Sequence, residues 1–278
     1  MGVSELISDK KQIPFKSLIP FLLITFGLAW GILALFIFLP DQMNSIFGKL
    51  TGQHPLFFLA VYAPAIASFI IITYTAGTEG LLRYLTRLLL WRTSLAWYAF
   101  LFLGIPLLYF GSAVLKGGII FAEPFPFNSF QALLVAIIFT AIKGPIEEFG
   151  WRGLALPLLQ RKFAPIWAGL ILGVIWGFWH LPAFLLSGTP QSAWSFIPFF
   201  VGSVSVSVIV TALFNKSHGS ILLPAMFHFQ LNNPLWPDAQ PYDMYAFVVA
   251  AILVVWFNRN SMFNRDNAMI EVVPKGQI

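Results

Sequence analysis

Residues 17–39 read SLIPFLLITFGLAWGILALFIFL and contain no charged side chain. At about 1.5 Å of rise per residue, a helix of this length crosses the roughly 30 Å hydrocarbon core of a bilayer. A cleaved signal peptide has a shorter apolar region and a small-residue cleavage site, and no Ala-x-Ala site follows this stretch. The stretch therefore predicts a first transmembrane helix.

The composition of the whole chain indicates the same class of protein. Of the 278 residues, 58% are hydrophobic and 10% are charged, whereas a soluble domain has about 25% charged residues. The net charge is +5, but the basic residues are spread thinly. We therefore expect contacts with lipid headgroups and no nucleic-acid partner. The absence of cysteine excludes disulfides, thiol catalysis and thiolate metal ligands.

Eight apolar stretches follow one another with short connections, which predicts an all-α, polytopic membrane protein with about eight transmembrane helices. Residues 1–278 are accordingly expected to form a single integral membrane domain. The stretches lie near 17–39, 55–77, 96–115, 129–157, 165–187, 194–214, 219–233 and 244–258. Basic residues collect in the connections on one side, so the positive-inside rule predicts a multi-pass protein of the cell membrane with both termini cytoplasmic.

Two further segments have a pattern of their own. Residues 80–95 repeat Arg among Leu and aromatic residues, which predicts an amphipathic helix lying in the membrane interface, with no functional role for its arginines. The sixth stretch contains Gly202, Ser203, Ser205 and Ser207. Small residues of this kind let helices approach closely, and this interpretation is favoured over a catalytic serine.

The fourth stretch contains four charged residues, Lys143, Glu147, Glu148 and Arg152. A charge inside a membrane costs at least about 2.5–3.5 kcal/mol on insertion scales, so such residues are rare and usually functional. Residues four apart share a helix face, so we expect Glu148 to reach Arg152 and Glu147 to reach Lys143. Adjacent residues point about 100° apart. One carboxylate can therefore be held by Arg152 while the other faces a cavity; a salt bridge that merely joins helices is the alternative.

Three more polar residues lie in later apolar stretches. His180 lies in ILGVIWGFWHLPAFLL, and His228 lies in ILLPAMFHFQLNN, one helical turn before Asn232. A Glu and a His can take a proton from water and make it a nucleophile, and a second His and an Asn amide can donate hydrogen bonds to an oxyanion. This inventory fits amide hydrolysis. Glu147, His180 and His228 together also match a catalytic zinc ligand set, although no H-E-x-x-H is present.

Three short motifs contain the Glu, Arg, His and Asn residues named above. They are Glu147-Glu148-Phe-Gly-Trp-Arg152 for E-E-x-x-x-R, Trp176-Gly-Phe-Trp-His180 for F-x-x-x-H, and His228-Phe-Gln-Leu-Asn232 for H-x-x-x-N. In order and spacing they resemble the CAAX-protease and bacteriocin-processing family of intramembrane proteases, which includes the Ras-converting enzyme. Trp176 stands where the family usually has Phe, a departure expected to alter the shape of the pocket without removing the chemistry.

The resemblance covers roughly residues 128–235 and implies that they form the catalytic core of a conical helical bundle enclosing an intramembrane cavity. It implies that Glu147 and His180 activate the water, and that His228 and Asn232 form the oxyanion hole. It also implies that Glu148 and Arg152 support the site, together with Trp176. The family was long labelled as metalloproteases, but without H-E-x-x-H we favour a glutamate-type mechanism with no metal cofactor; zinc is the alternative.

The substrate implied by the resemblance is a peptide or membrane-anchored protein, prenylated at a CAAX-type C-terminus in the eukaryotic members. Two other functions stay open. Intramembrane Glu and His are also typical of a small-solute or proton-coupled transporter. The second open function is that of a non-catalytic membrane scaffold or bacteriocin-immunity protein, which keeps the fold and binds partners.

Overall fold

The computed structural model describes residues 12–117 and 129–275. Its main helices are α1 Phe15–Phe38, α2 Ala63–Leu89, α3 Leu95–Leu115, α4 Phe130–Gln160, α5 Pro165–Leu185, α6 Phe196–Lys216, α7 Leu222–Leu231 and α8 Tyr242–Met262. All regular structure in the described ranges is helical, which confirms the predicted all-α fold. The predicted catalytic core begins at residue 128, which lies outside the described residues, as do the extreme termini, 1–11 and 276–278.

Seven of these helices are long and apolar enough to cross a membrane, and together they make a multi-pass membrane protein. Helix α1 shows how each is placed. Every third or fourth side chain packs inward, so one face is buried against α2 while Ile19 and Leu23 on the opposite face are exposed. The buried side chains are Phe21, Thr25, Ala29, Leu33 and Phe36.

Helix α7 is the exception in length. Its ten residues span about 15 Å, half of the hydrocarbon core. The crossing predicted for residues 219–233 is completed by irregular backbone at residues 232–241. At one end of this segment the Ile221 amide donates to the Arg87 carbonyl, and at the other Asp238 pairs with Lys116 at 2.8 Å. Irregular backbone is tolerated at membrane depth where it lines a cavity, and residues 232, 233 and 236–240 do so.

Both ends of the described chain lie at the same end of the bundle. Arg161 donates hydrogen bonds to the carbonyls of Ile13 and Ile270. We call this the terminal end; it comprises residues 13–16, 83–92, 161–164, 216–221 and 263–275. The opposite, distal end comprises residues 40–54, 116–117, 188–195 and 235–241. The side of the membrane that each end faces stays a prediction.

Helices α5 and α6 pack together through small residues. Gly169, Gly173 and Gly177 of α5 lie against the backbone and side chains of α6, and the Ser207 hydroxyl of α6 donates to the Gly169 carbonyl at 2.9 Å. Gly202 lies against Met244 of α8. The small residues of the sixth stretch therefore permit close helix contacts, as predicted.

The amphipathic helix predicted at 80–95 differs from the structure. Helix α2 bends at Gly77, where φ is 71°, and its helical structure ends at Leu89. Arg87 does not belong to a solvated face, since only 2% of its surface is exposed. The expectation that these arginines merely face the interface is wrong for Arg87, because backbone carbonyls from three other segments form hydrogen bonds with its guanidinium.

Candidate active site

A cavity of about 440 Å³ lies inside the bundle. Its wall includes the polar side chains of Lys143, Glu147, His180, His228 and Asn232. The lining continues to residues 190–191 and 236–240 at the distal end, and the remaining wall is largely apolar. The cavity thus brings together polar residues from three helices within the membrane-spanning part of the molecule.

Helix α4 is irregular where it meets this cavity. A 3₁₀ turn at Gly144–Ile146 precedes the glutamate pair, and a π-helical turn at Trp151–Ala155 follows it. Proline at position 145 explains the first break, since it has no N–H to continue the helix. Single π turns occur often at functional sites. These two breaks set the direction in which the helix presents its carboxylates.

The two glutamates have different partners. Glu148 Oε1 accepts from Arg152 Nη1 at 3.0 Å, which confirms the predicted pair. Glu147 lines the cavity, and its partner is Trp176, 2.9 Å away. The expected ion pair between Glu147 and Lys143 is absent from the described residues, because Lys143 Nζ instead donates to the Gly52 carbonyl.

Glu148 joins two motifs through one oxygen atom. The Oε1 atom that accepts from Arg152 also lies 2.7 Å from His228 Nδ1 on α7. All three side chains are buried. An ionised carboxylate only accepts hydrogen bonds, so Nδ1 of His228 carries the proton and Nε2 is left for other contacts. Helices α4 and α7 are thereby held in register at the cavity.

Trp176 contacts four of the motif residues. Its indole N–H donates to Glu147 Oε2 at 2.9 Å, and its backbone carbonyl accepts from His180 Nδ1 at 2.8 Å. Its ring lies 4.7 Å from the Arg152 guanidinium carbon and 5.7 Å from the His228 ring. A phenylalanine here would keep the ring contacts and lose the hydrogen bond to Glu147. The substitution of Trp for Phe therefore adds a polar contact that sequence reasoning did not foresee.

His228 and Asn232 converge beside Gly144. A Cβ atom on Gly144 would lie 2.9 Å from His228 Nε2 and closer still to Asn232 Nδ2. The two nitrogen atoms therefore point at the same small space at the break in α4. Only glycine lets the backbone approach this pair. In the sequence, a Gly-Pro pair inside an apolar stretch indicates a special backbone position at Gly144. The sequence does not indicate that His228 and Asn232 lie next to it.

Arg87 and Tyr84 of α2 are two further residues that sequence reasoning missed. The Arg87 guanidinium donates to the carbonyls of Gly153, Gly219 and Val272, and the Tyr84 hydroxyl donates to the Phe149 carbonyl. Carbonyl 153 lies in the π turn, and carbonyl 149 lies two residues before the turn begins. Side chains of α2 thus form hydrogen bonds with the irregular backbone of α4 from outside the cavity.

The alternative zinc ligands are not arranged as a metal site. In residues 12–117 and 129–275, no group of three His, Asp or Glu side chains is close enough to hold a metal ion. Of the three candidate ligands, Glu147 accepts from Trp176, His180 donates from Nδ1 to a backbone carbonyl and His228 donates from Nδ1 to Glu148. Because a metal-bound histidine commonly donates its second ring N–H in the same way, only the spacing of the three side chains speaks against zinc.

The fold and site define a polytopic helical membrane protein with a Glu–His–Asn cluster that lines an internal cavity. A family model for Rce1-like type II CAAX prenyl endopeptidases matches residues 128–233. CAAX prenyl protease 2 of Methanococcus maripaludis is 30% identical over 184 residues, which cover 61% of this chain and 67% of that protein. The chain belongs to the family of Rce1-like CAAX prenyl endopeptidases.

Proposed function

We propose that the protein is an intramembrane endopeptidase of the cell membrane that hydrolyses a peptide bond of a prenylated, CAAX-type or otherwise membrane-associated peptide. One observation carries the proposal: Trp176 bonds to both Glu147 and His180, and these two residues line the same cavity as His228 and Asn232. Family membership supports a protease in general. The mechanism below is inferred from the geometry of the site.

Glu147 and His180 activate the attacking water. Because His180 Nδ1 donates to the Trp176 carbonyl, Nε2 of the neutral ring is an acceptor. Glu147 Oε2 is engaged by Trp176, which leaves Oε1 for a water in the cavity. As the water oxygen bonds to the scissile carbonyl carbon, its proton passes to this pair. The same proton is then given to the departing nitrogen as the C–N bond breaks.

His228 and Asn232 stabilise the negative charge that develops on the carbonyl oxygen. Asn232 Nδ2 donates directly, and His228 donates from Nε2 in its protonated form, with Glu148 beside Nδ1 stabilising the imidazolium. Arg152 balances the charge of Glu148 and holds its carboxylate in place. The roles of the two glutamates are therefore different: Glu147 acts on water and Glu148 positions His228.

We propose that the reaction uses no metal, because no three His, Asp or Glu side chains in the part of the chain that the structure describes lie close enough together to hold one. Neither alternative function is favoured by a specific contact in the described residues. A transporter does not need the His228–Asn232 pair. A non-catalytic scaffold or immunity protein does not need a free carboxylate oxygen in a cavity. A cleavage assay separates the protease from both alternatives.

The test compares the wild type with Glu147→Gln and Glu148→Gln in liposomes, using a fluorogenic farnesylated CAAX peptide and a panel of membrane-anchored peptides, with and without a chelator. We expect cleavage by the wild type that resists chelation and falls at least about 1,000-fold in Glu147→Gln. Glu148→Gln keeps a hydrogen-bond acceptor for His228, so its loss is smaller. Chelator-sensitive cleavage would overturn the metal-free mechanism, and folded wild-type protein that cleaves nothing would favour the scaffold.

A further inference from the structure

Lys143 is a cation in the cavity wall that the proposed mechanism does not use. It is the last residue of the first part of α4, directly before Gly144, and it lines the cavity together with Glu147. Its Nζ atom donates to the Gly52 carbonyl at 3.4 Å, a long hydrogen bond. It also lies 5.8 Å from the centre of the Phe57 ring. No carboxylate in the described parts of the chain forms an ion pair with it.

A cation without an anionic partner in a membrane-spanning segment is costly. The other cations near the cavity differ in this respect. Arg152 is paired with Glu148, and Lys116 at the distal end is paired with Asp238. Asp243, at the start of α8, also lines the cavity and accepts from the Met244 amide. Lys143 is therefore the cation in the cavity wall that an entering anion would meet without displacing an anionic partner.

We propose that Lys143 binds the C-terminal α-carboxylate of the peptide substrate. This rests on the proposed function, and it adds the group that recognises the free end of the chain. A lysine ammonium on a flexible four-carbon stem is suited to a carboxylate that arrives from solvent. Asp243, elsewhere in the same cavity, repels that carboxylate and so favours one direction of the bound peptide.

The position of Lys143 agrees with this role. It lies four residues before Glu147, which corresponds to about 6 Å along the helix, and its side chain extends the reach further. A carboxylate bound there lies a few residues from the water held by Glu147, since three extended residues span up to about 10 Å. The site therefore favours cleavage close to the C-terminus, with the released fragment leaving toward the distal end.

The experiment uses one fluorogenic farnesylated peptide without acidic side chains, made with a free C-terminal carboxylate and with a C-terminal amide. For the wild type we expect kcat/KM for the acid to exceed that for the amide by about 10- to 100-fold. Lys143→Met should lose most of this preference by slowing cleavage of the acid alone, and Lys143→Arg should keep part of it. Lys116→Met is the matched control and should keep the full preference.

Three outcomes would overturn the proposal. Lys143→Met could retain the wild-type preference for the acid, or it could slow both peptides equally, which would mean that Lys143 acts through Glu147. Finally, the effect of Lys143→Met on cleavage could appear only when anionic lipid is added to phosphatidylcholine vesicles, and could be the same for the acid and the amide. Lys143 would then bind a lipid phosphate and not the peptide carboxylate.

Binding of both peptides to the Glu147→Gln variant, with and without Lys143→Met, separates this proposal from the proposed function. We expect Glu147→Gln to bind the acid more tightly than the amide, and the added Lys143→Met to remove the difference. If the double variant keeps the difference, Lys143 is not the carboxylate site, whether or not the wild type cleaves.

Discussion

At the scale of single residues, the site depends on side chains that hold other side chains. Trp176 bonds to Glu147 with its indole N–H and to His180 with its carbonyl. The carbonyl contact belongs to the backbone and survives any substitution, whereas the indole contact is specific to tryptophan. The two contacts can therefore be tested separately.

Trp176→Phe removes the hydrogen bond to Glu147 and keeps an aromatic ring. We expect kcat to fall about 10-fold with little change in KM, because a hydrogen bond to a charged group is lost while the cavity keeps its shape. Steady-state kinetics in liposomes check this. Trp179→Phe is the matched control, because the Trp179 indole N–H is buried without a hydrogen-bond partner in the described structure. Equal losses in both variants would contradict the role of Trp176.

Gly144→Ala tests the convergence of His228 and Asn232. The added methyl group would collide with both side chains, and a displacement of about 1 Å at a catalytic group can cost about 100-fold in rate. We expect a loss of this size in kcat with the thermal unfolding temperature nearly unchanged. Gly31→Ala on α1, where a Cβ has no neighbour within 4 Å, should be as active as the wild type. An active Gly144→Ala would show that the pair is not confined as described.

At the scale of elements, the motif helix α4 depends on α2 for its shape. The helix is irregular at the π turn Trp151–Ala155. Tyr84 bonds to carbonyl 149, just before this turn, and Arg87 bonds to carbonyl 153, within it. Arg87 also binds the carbonyl of Gly219, just before α7. One buried side chain thus joins the segments that carry the first and third motifs.

Arg87→Met should destabilise the protein, because the apolar side chain leaves three buried carbonyls without a donor. Each unpaired buried group costs about 1–3 kcal/mol, so we expect the free energy of unfolding to fall by roughly 3 kcal/mol or more. Thermal unfolding in detergent measures this. Arg92→Met, at an exposed position, is the control and should unfold like the wild type. An unchanged unfolding temperature in Arg87→Met would refute the proposed role of this contact.

At the scale of the whole molecule, charge is distributed unevenly between the two ends of the bundle. The distal end contains two basic and two acidic residues, Lys49, Lys116, Asp41 and Asp238. The terminal end contains two acidic residues, Asp266 and Glu271, and nine basic ones: Lys16, Arg83, Arg87, Arg92, Arg161, Lys162, Lys216, Arg265 and Lys275. The positive-inside rule predicts that the terminal end is cytoplasmic. The cavity wall extends to the distal end, so this orientation would direct the cavity away from the cytoplasm.

Single cysteines test the orientation directly, because the natural chain has none. We expect Ala193→Cys at the distal end to react with a membrane-impermeant maleimide in intact cells, and Lys216→Cys at the terminal end to react only after permeabilisation. Both positions are exposed in the structure. The reverse pattern would mean that the cavity is directed toward the cytoplasm and that the topology prediction is wrong.

The apolar stretches were enough to predict the helices, and the motifs contain five residues that the structure places around one cavity: Glu147, Trp176, His180, His228 and Asn232. This succeeded because membrane spans need long apolar runs, and because residues four apart share a helix face, as Glu148 and Arg152 do. The same rule failed for Lys143 and Glu147, whose stretch of α4 contains a 3₁₀ turn. Sequence reasoning likewise gave α7 a full crossing that irregular backbone completes.

The tertiary structure alone decided which side chains bond across helices. Glu148 contacts His228 80 positions later, and Glu147 contacts Trp176 29 positions later. Such pairs depend on the angle and depth at which two helices pack, which no local periodicity encodes. The burial of Arg87 has the same origin, because its three carbonyl partners come from distant segments of the chain. Sequence determined which residues reach the membrane interior, and packing determined what each of them does there.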